Sequence, residues 1–96
     1  MPKRFWSIRG YDSTETIYER VVPFGCLSER QVIALLQRLA SRHLDEDEVT
    51  DSSLKRNSKA YRALLEPHCD VVNATRVMIS VGENPYYVAS VWEQQD

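Results

Sequence analysis

Residues 4–22 read Arg-Phe-Trp-Ser-Ile-Arg-Gly-Tyr-Asp-Ser-Thr-Glu-Thr-Ile-Tyr-Glu-Arg-Val-Val. The register in which this stretch folds back on itself decides which side chains face the core. Residues 4–11 and 16–22 are dense in aromatic and β-branched side chains, which suit a pleated, half-buried surface. Trp6 and Ile8 alternate with polar neighbours, as a strand requires. Asp12-Ser13-Thr14-Glu15 between them offers side-chain acceptors that stabilise a tight bend, so the two segments predict a β-hairpin. With Tyr11 opposite Thr16, Ile8 faces Glu19 and Trp6 faces Val21. Trp6, Ile8, Gly10, Ile17 and Val21 then point inward, with Glu19 intruding among them. A slip of one residue flips every side chain of a strand, and such a slip in the second strand would expose that acid.

Pro23 and Gly25 end the hairpin. Ser28 with Gln31 three residues on is a capping-box pattern, in which the hydroxyl accepts a helix N–H and the amide reaches back. Val32, Leu35, Leu36, Leu39 and Ala40 recur at three- and four-residue spacing, which predicts an amphipathic helix over 29–43. The acidic run Asp45-Glu46-Asp47-Glu48 has the oxygen ligands a hard cation prefers. It lacks the glycine of a calcium loop, and a second helix over about 46–54, capped by Asp45 with acids at the positive end of its dipole, accounts for it better. Asn57-Ser58 predicts a third helix running to Glu66, with Tyr61, Leu64 and Leu65 on its buried side. Pro67 stops it, because the residue before a proline avoids helical angles.

Residues 67–74 read as a loop. Residues 75–81 and 86–93 read as strands joined by the turn Gly82-Glu83-Asn84-Pro85, and residues 94–96 as a frayed end. With Val81 opposite Tyr87, the inward side is uniformly apolar: Val77, Ile79, Val81, Tyr87, Ala89 and Val91. The expectation is a two-layer α+β fold. It has a four-stranded antiparallel sheet of two hairpins, in the order β-β-α-α-α-β-β, with the helices packed on one face and a single domain over residues 1–96.

The other face of that sheet attracts attention. It would carry Phe5, Arg9, Tyr11, Tyr18, Arg20 and Val22 from the first hairpin. Arg76, Met78, Val88, Ser90 and Trp92 would follow from the second. Water-facing sheet surfaces usually alternate toward plainly polar residues. Aromatic residues, Met and Arg are enriched in protein interfaces, whereas Lys, Glu and Asp are depleted there. Phe5, Arg9, Tyr11, Tyr18, Arg20, Arg76, Met78 and Trp92 are therefore the candidate interaction residues, for a protein partner or a second copy of the chain.

Composition narrows the alternatives. Ninety-six residues, 43% hydrophobic and 27% charged, match an ordinary globular domain rather than a disordered chain. Twelve Lys and Arg against fourteen Asp and Glu give a net charge of −2, which excludes a histone-like binder of nucleic acid. The basic start of the chain leads into no apolar stretch, so no signal peptide is expected. No apolar run approaches the ~20 residues of a membrane span. With Cys26 and Cys69 as the only cysteines, reduced thiols in a cytoplasmic protein are expected.

Neither a metal nor a cofactor is called for. His68 and Cys69 are adjacent, and no C-x-x-C or H-x-x-x-H pair is present. Cys26 with His43 or His68 is the only pairing for a thiol enzyme, the least favoured reading. Nucleic-acid binding is the principal alternative to protein docking. Lys55, Arg56, Lys59 and Arg62 cluster at the expected third helix, where 55, 59 and 62 share one face. The element order is not the β-α-β-β-α-β of the RNA-recognition sheet.

Overall fold

Ser13 turns the first hairpin with its backbone in the left-handed region, at φ 57°, a conformation uncommon for a residue other than glycine. The computed structural model describes residues 3–73, 76–83 and 85–94, with the side chains of residues 71–73, 76 and 94 outside that description. The expected strand start at Thr75, the Asn84 position of the second turn and the fraying expected at 95–96 lie outside the described residues, whereas Gln94, expected to be frayed too, is the last residue of a strand. The elements are β1 (Lys3–Asp12), β2 (Glu15–Pro23), a 3-10 turn (Phe24–Cys26), α1 (Glu29–Ser41), α2 (Glu46–Ser53), β3 (Pro67–Asn73), β4 (Arg76–Gly82) and β5 (Tyr86–Gln94). They form an α+β fold around one antiparallel sheet in the order β2-β1-β5-β4-β3. The two expected hairpins are joined along β1 and β5, which makes β5 the central strand.

The core lies between the sheet and α1. Trp6, Ile8, Ile79, Val81, Tyr87, Ala89 and Val91 of the sheet pack with Val32, Leu36 and Ala40 of the helix. A fully buried aliphatic side chain of this kind stabilises the fold by about 1.5–3 kcal/mol. The helix begins where its sequence signals say. Gln31 N–H donates to Ser28 Oγ at 3.2 Å, and Ser28 N–H to Gln31 Oε1 at 2.9 Å. A second capping box opens α2: Glu48 N–H donates to Asp45 Oδ1 at 2.8 Å, and Asp45 N–H to Glu48 Oε1 at 3.2 Å. Trp6 anchors the crossing from β2 to α1. Its Nε1 donates to the Leu27 carbonyl at 3.1 Å, and its ring stacks on Phe24 at 5.6 Å.

The second hairpin has the expected register, with Val81 opposite Tyr87. Gly82 enters its turn at φ +91°, which L side chains adopt only with strain. Gly10 is required for a different reason: a Cβ there would meet the Tyr87 ring.

Four expectations need correction. The sheet has five strands, because residues 67–73 are a strand and not a loop. Pro67 is tolerated there as the first residue of an edge strand, where it removes no bond from the ladder. The third helix is absent, and residues 54–66 run as turns and irregular chain. Ties to both helices hold this segment, Arg62 N–H donating to the Asp51 carbonyl at 3.3 Å and Gln37 Nε2 to the Leu65 carbonyl at 2.9 Å, and within it Tyr61 donates to Glu66 Oε1 at 2.6 Å. A short isolated helix is too marginal to compete with them. The third correction shortens α1, which ends at Ser41 instead of residue 43.

The fourth concerns β2. Tyr11 does face Thr16, but Gly10 pairs with Tyr18, so Ile17 is an extra residue in β2. This bulge moves the rest of the strand by one. Ile8 therefore faces Arg20 and Trp6 faces Val22. Ile17 and Val21, expected inside, are exposed, and Glu19 leaves the core side.

Candidate functional site

Cross-strand partners in an antiparallel sheet share a face, so the pairing assigns the surface opposite α1 residue by residue. One row runs Val21, Ser7, Ser90, Met78, Asp70 from β2 to β3. The next runs Glu19, Arg9, Val88, Ser80, His68. Tyr11, Tyr86 and Gly82 continue the pattern toward one end, and Pro23, Phe5 and Trp92 toward the other. Both helices lie on the far side: α1 supplies the core, and α2 borders a cleft with Ala40 and His43.

This open face is apolar for a surface left to water. Val21 is 56% exposed, and Met78 and Trp92 are each 40% exposed. Ser7, by contrast, is only 6% exposed although it points the same way. Its small side chain is nearly covered by its neighbours on the face.

The polar groups on this face are largely engaged within it. Trp92 Nε1 donates to Ser90 Oγ at 2.8 Å. Arg9 donates to the Tyr11 hydroxyl at 3.4 Å and lies 3.5 Å from Glu19. The Tyr11 hydroxyl, and behind it Glu19, hold the Arg9 guanidinium above its ordinary pKa. Tyr11 stacks on Tyr86 at 5.3 Å. The face therefore presents apolar bulk, the internally paired Arg9 and Glu19, and the exposed His68 and Asp70 of β3.

Of the eight candidate interaction residues, the structure brings Phe5, Arg9, Tyr11, Met78 and Trp92 onto this face. Tyr18 and Arg20 belong to the helix side, because the bulge at Ile17 turned β2 over. Tyr18 is half-buried there, 6.4 Å from the Tyr87 ring. Arg76 is the first residue of β4, and its side chain lies outside the described residues. The exposure of Val21 and the burial of Ser7 were missed. The signal that could have found Val21 was Glu19, whose place on a core face demanded the slip that exposes Val21.

The other candidate groups are dispersed or committed. Cys26 is exposed in the 3-10 turn, and Cys69 is exposed on the edge strand β3. His43 engages Tyr87, with Nε2 2.7 Å from its hydroxyl. Burial pushes the Tyr87 phenol above its ordinary pKa. With no helix there, Lys55, Lys59 and Arg62 share no helical face, and Arg62 lies 3.7 Å from Glu48 and Arg56 2.9 Å from Glu66. A cleft of about 490 Å³ beside His43 is lined by Leu44, Glu48, Arg62, Leu64 and Glu83 among others. Its polar groups include His43, which engages Tyr87, and the Arg62–Glu48 pair. Among the described residues, no helix is long and apolar enough to cross a membrane.

Fold and site together define an α+β protein whose sheet is covered by helix on one face and open on the other. Comparison with protein-family models, with curated proteins and with solved structures finds no match to this chain.

Proposed function

We propose that this chain is a non-enzymatic interaction protein that docks a protein on the open face of its sheet. The observation that carries this reading is the exposure of Val21 and Met78 in one row, on either side of Ser7 and Ser90. Single exposed apolar residues are ordinary. Several of them gathered on one sheet face, as Val21, Met78 and Trp92 are, favour an interaction site. The face carries exposed carboxylates at Glu19 and Asp70 beside its apolar residues, which suits a protein surface better than a phosphate backbone. Site-specific photo-crosslinking in the cell tests the reading. A photoreactive residue at Met78 is expected to yield protein adducts that vanish with Val21→Glu, while one at Arg38, exposed on α1, yields none. Equal labelling from both positions, or none from Met78, rejects the docking surface.

A further inference from the structure

We infer that the occupant of the open face is a second copy of this chain, seated face to face about a two-fold axis that runs parallel to β5 over Val88 and Ser90. The inference rests on the docking reading above and names its partner. Such an axis lays β1 of one copy on β4 of the other, and β2 on β3. Under that operation the strands next to β5, β1 and β4, complement each other at three positions. Ser7, sunk at 6% exposure, receives Met78, which stands out at 40%. Arg9 lies over Ser80, and the Tyr11 ring over Gly82. In these three pairs beside β5 a large side chain of one flank meets a small one of the other, while farther out in the first row Val21 lies over Asp70. Such self-complementarity is what an isologous interface requires, since the same patch must serve both copies.

Charge follows the same rule. The row through Arg9 ends in Glu19 on β2 and in His68 on β3. The axis brings Glu19 of each copy onto His68 of the other, so an acid meets a base at both edges of the sandwich.

The available area suffices. Five strands at ~4.8 Å spacing and nine residues at about 3.3 Å make a plate of about 24 by 30 Å. That is about 700 Å² before side-chain relief, against ~800 Å² per partner in a standard interface. The product is an aligned sandwich with the helices outside, in which the two sheets cross at roughly 30°.

The test uses the purified full chain in analytical ultracentrifugation across a concentration series. A species of twice the 11.1 kDa chain mass is expected. Met78→Glu should weaken the dimer about tenfold or more by placing an unpaired charge in the contact. Glu19→Lys should weaken it as well, and His68→Glu added to Glu19→Lys should restore it. Circular dichroism confirms that each variant folds. With Cys26 and Cys69 replaced by Ser, Val88→Cys should cross-link to its counterpart through a short bis-maleimide. A wild-type chain that stays monomeric overturns the second copy as occupant, and the photo-crosslinks from Met78 then decide whether the docking reading survives. A dimer indifferent to Met78→Glu, for instance one paired edge to edge through β2, overturns the inference and removes its support for the docking reading. A dimer that Met78→Glu weakens but that the His68→Glu exchange does not rescue overturns the stated axis.

Discussion

The two faces of the sheet are made by the same strands, residue by alternate residue, yet they obey different rules. On the helix side the large residues interlock: Trp6, Ile8, Ile79 and Val81 close on Val32 and Leu36 with almost no exposure. On the open side large and small residues stand opposite each other across β5, and Val21, Met78 and Trp92 stay exposed. The first face is built to be finished within the chain. On the proposed reading, the second is finished by a partner. Close packing accounts for the contrast, because an interior tolerates neither voids nor overlaps, whereas a surface awaiting a partner must hold one half of the complement.

Mutations should separate the faces by size of effect. The largest loss is expected from Leu36→Ala, which opens a cavity under the sheet and should lower unfolding stability by about 2–5 kcal/mol in urea denaturation. A loss under 1 kcal/mol would show that α1 is not the lid of the core.

An intermediate effect is expected from Tyr87→Phe, and it depends on pH. Burial raises the folded-state pKa of Tyr87 above its ordinary value of 10.0. The neutral phenol is therefore favoured in the fold. Its contribution is complete below pH 10 and is lost as pH rises through the folded value. Denaturation midpoints should decline above pH 10 in the wild type and decline less steeply in Tyr87→Phe. The variant also gives up the contact with His43, so its midpoint at pH 8 should be lower. Parallel alkaline profiles would show that the Tyr87 ring is not sealed under the helix layer.

The smallest effect on folding is expected on the open face. Val21→Thr keeps the β-branched shape of an exposed strand residue and should change monomer stability by no more than about 0.5 kcal/mol. A loss comparable to that of Leu36→Ala would mean that the open face is already packed within one chain, and the contrast between the faces would disappear.

Several elements were legible without coordinates because their causes are local. The capping boxes at Ser28 and Asp45 satisfy helix N–H groups within three residues. The apolar spacing of Val32, Leu36 and Ala40 needs only the helix period. Val77 to Val91 alternate cleanly around a turn that opens on glycine. The open face was legible in part for the same reason, since β1, β4 and β5 keep a strict period of two and carry Phe5, Arg9, Tyr11, Met78 and Trp92 with them. Tyr18, Arg20 and Val21 were misplaced because one unpaired residue, Ile17, inverts everything after it.

What local chemistry determines here is the class of the protein: paired strands around an amphipathic, well-capped helix, with Trp6 and Ile8 turned toward it. Three matters were left to the assembled structure. They are the bulge at Ile17, the fifth strand at Pro67–Asn73, and the placing of β5 between β1 and β4. Each depends on contacts between segments far apart in the chain. Strand edges accept any neighbour that offers matching backbone bonds, and only the packing of the whole sheet against α1 selects one arrangement. That selection sets Ser7 and Met78 on opposite flanks of one central strand.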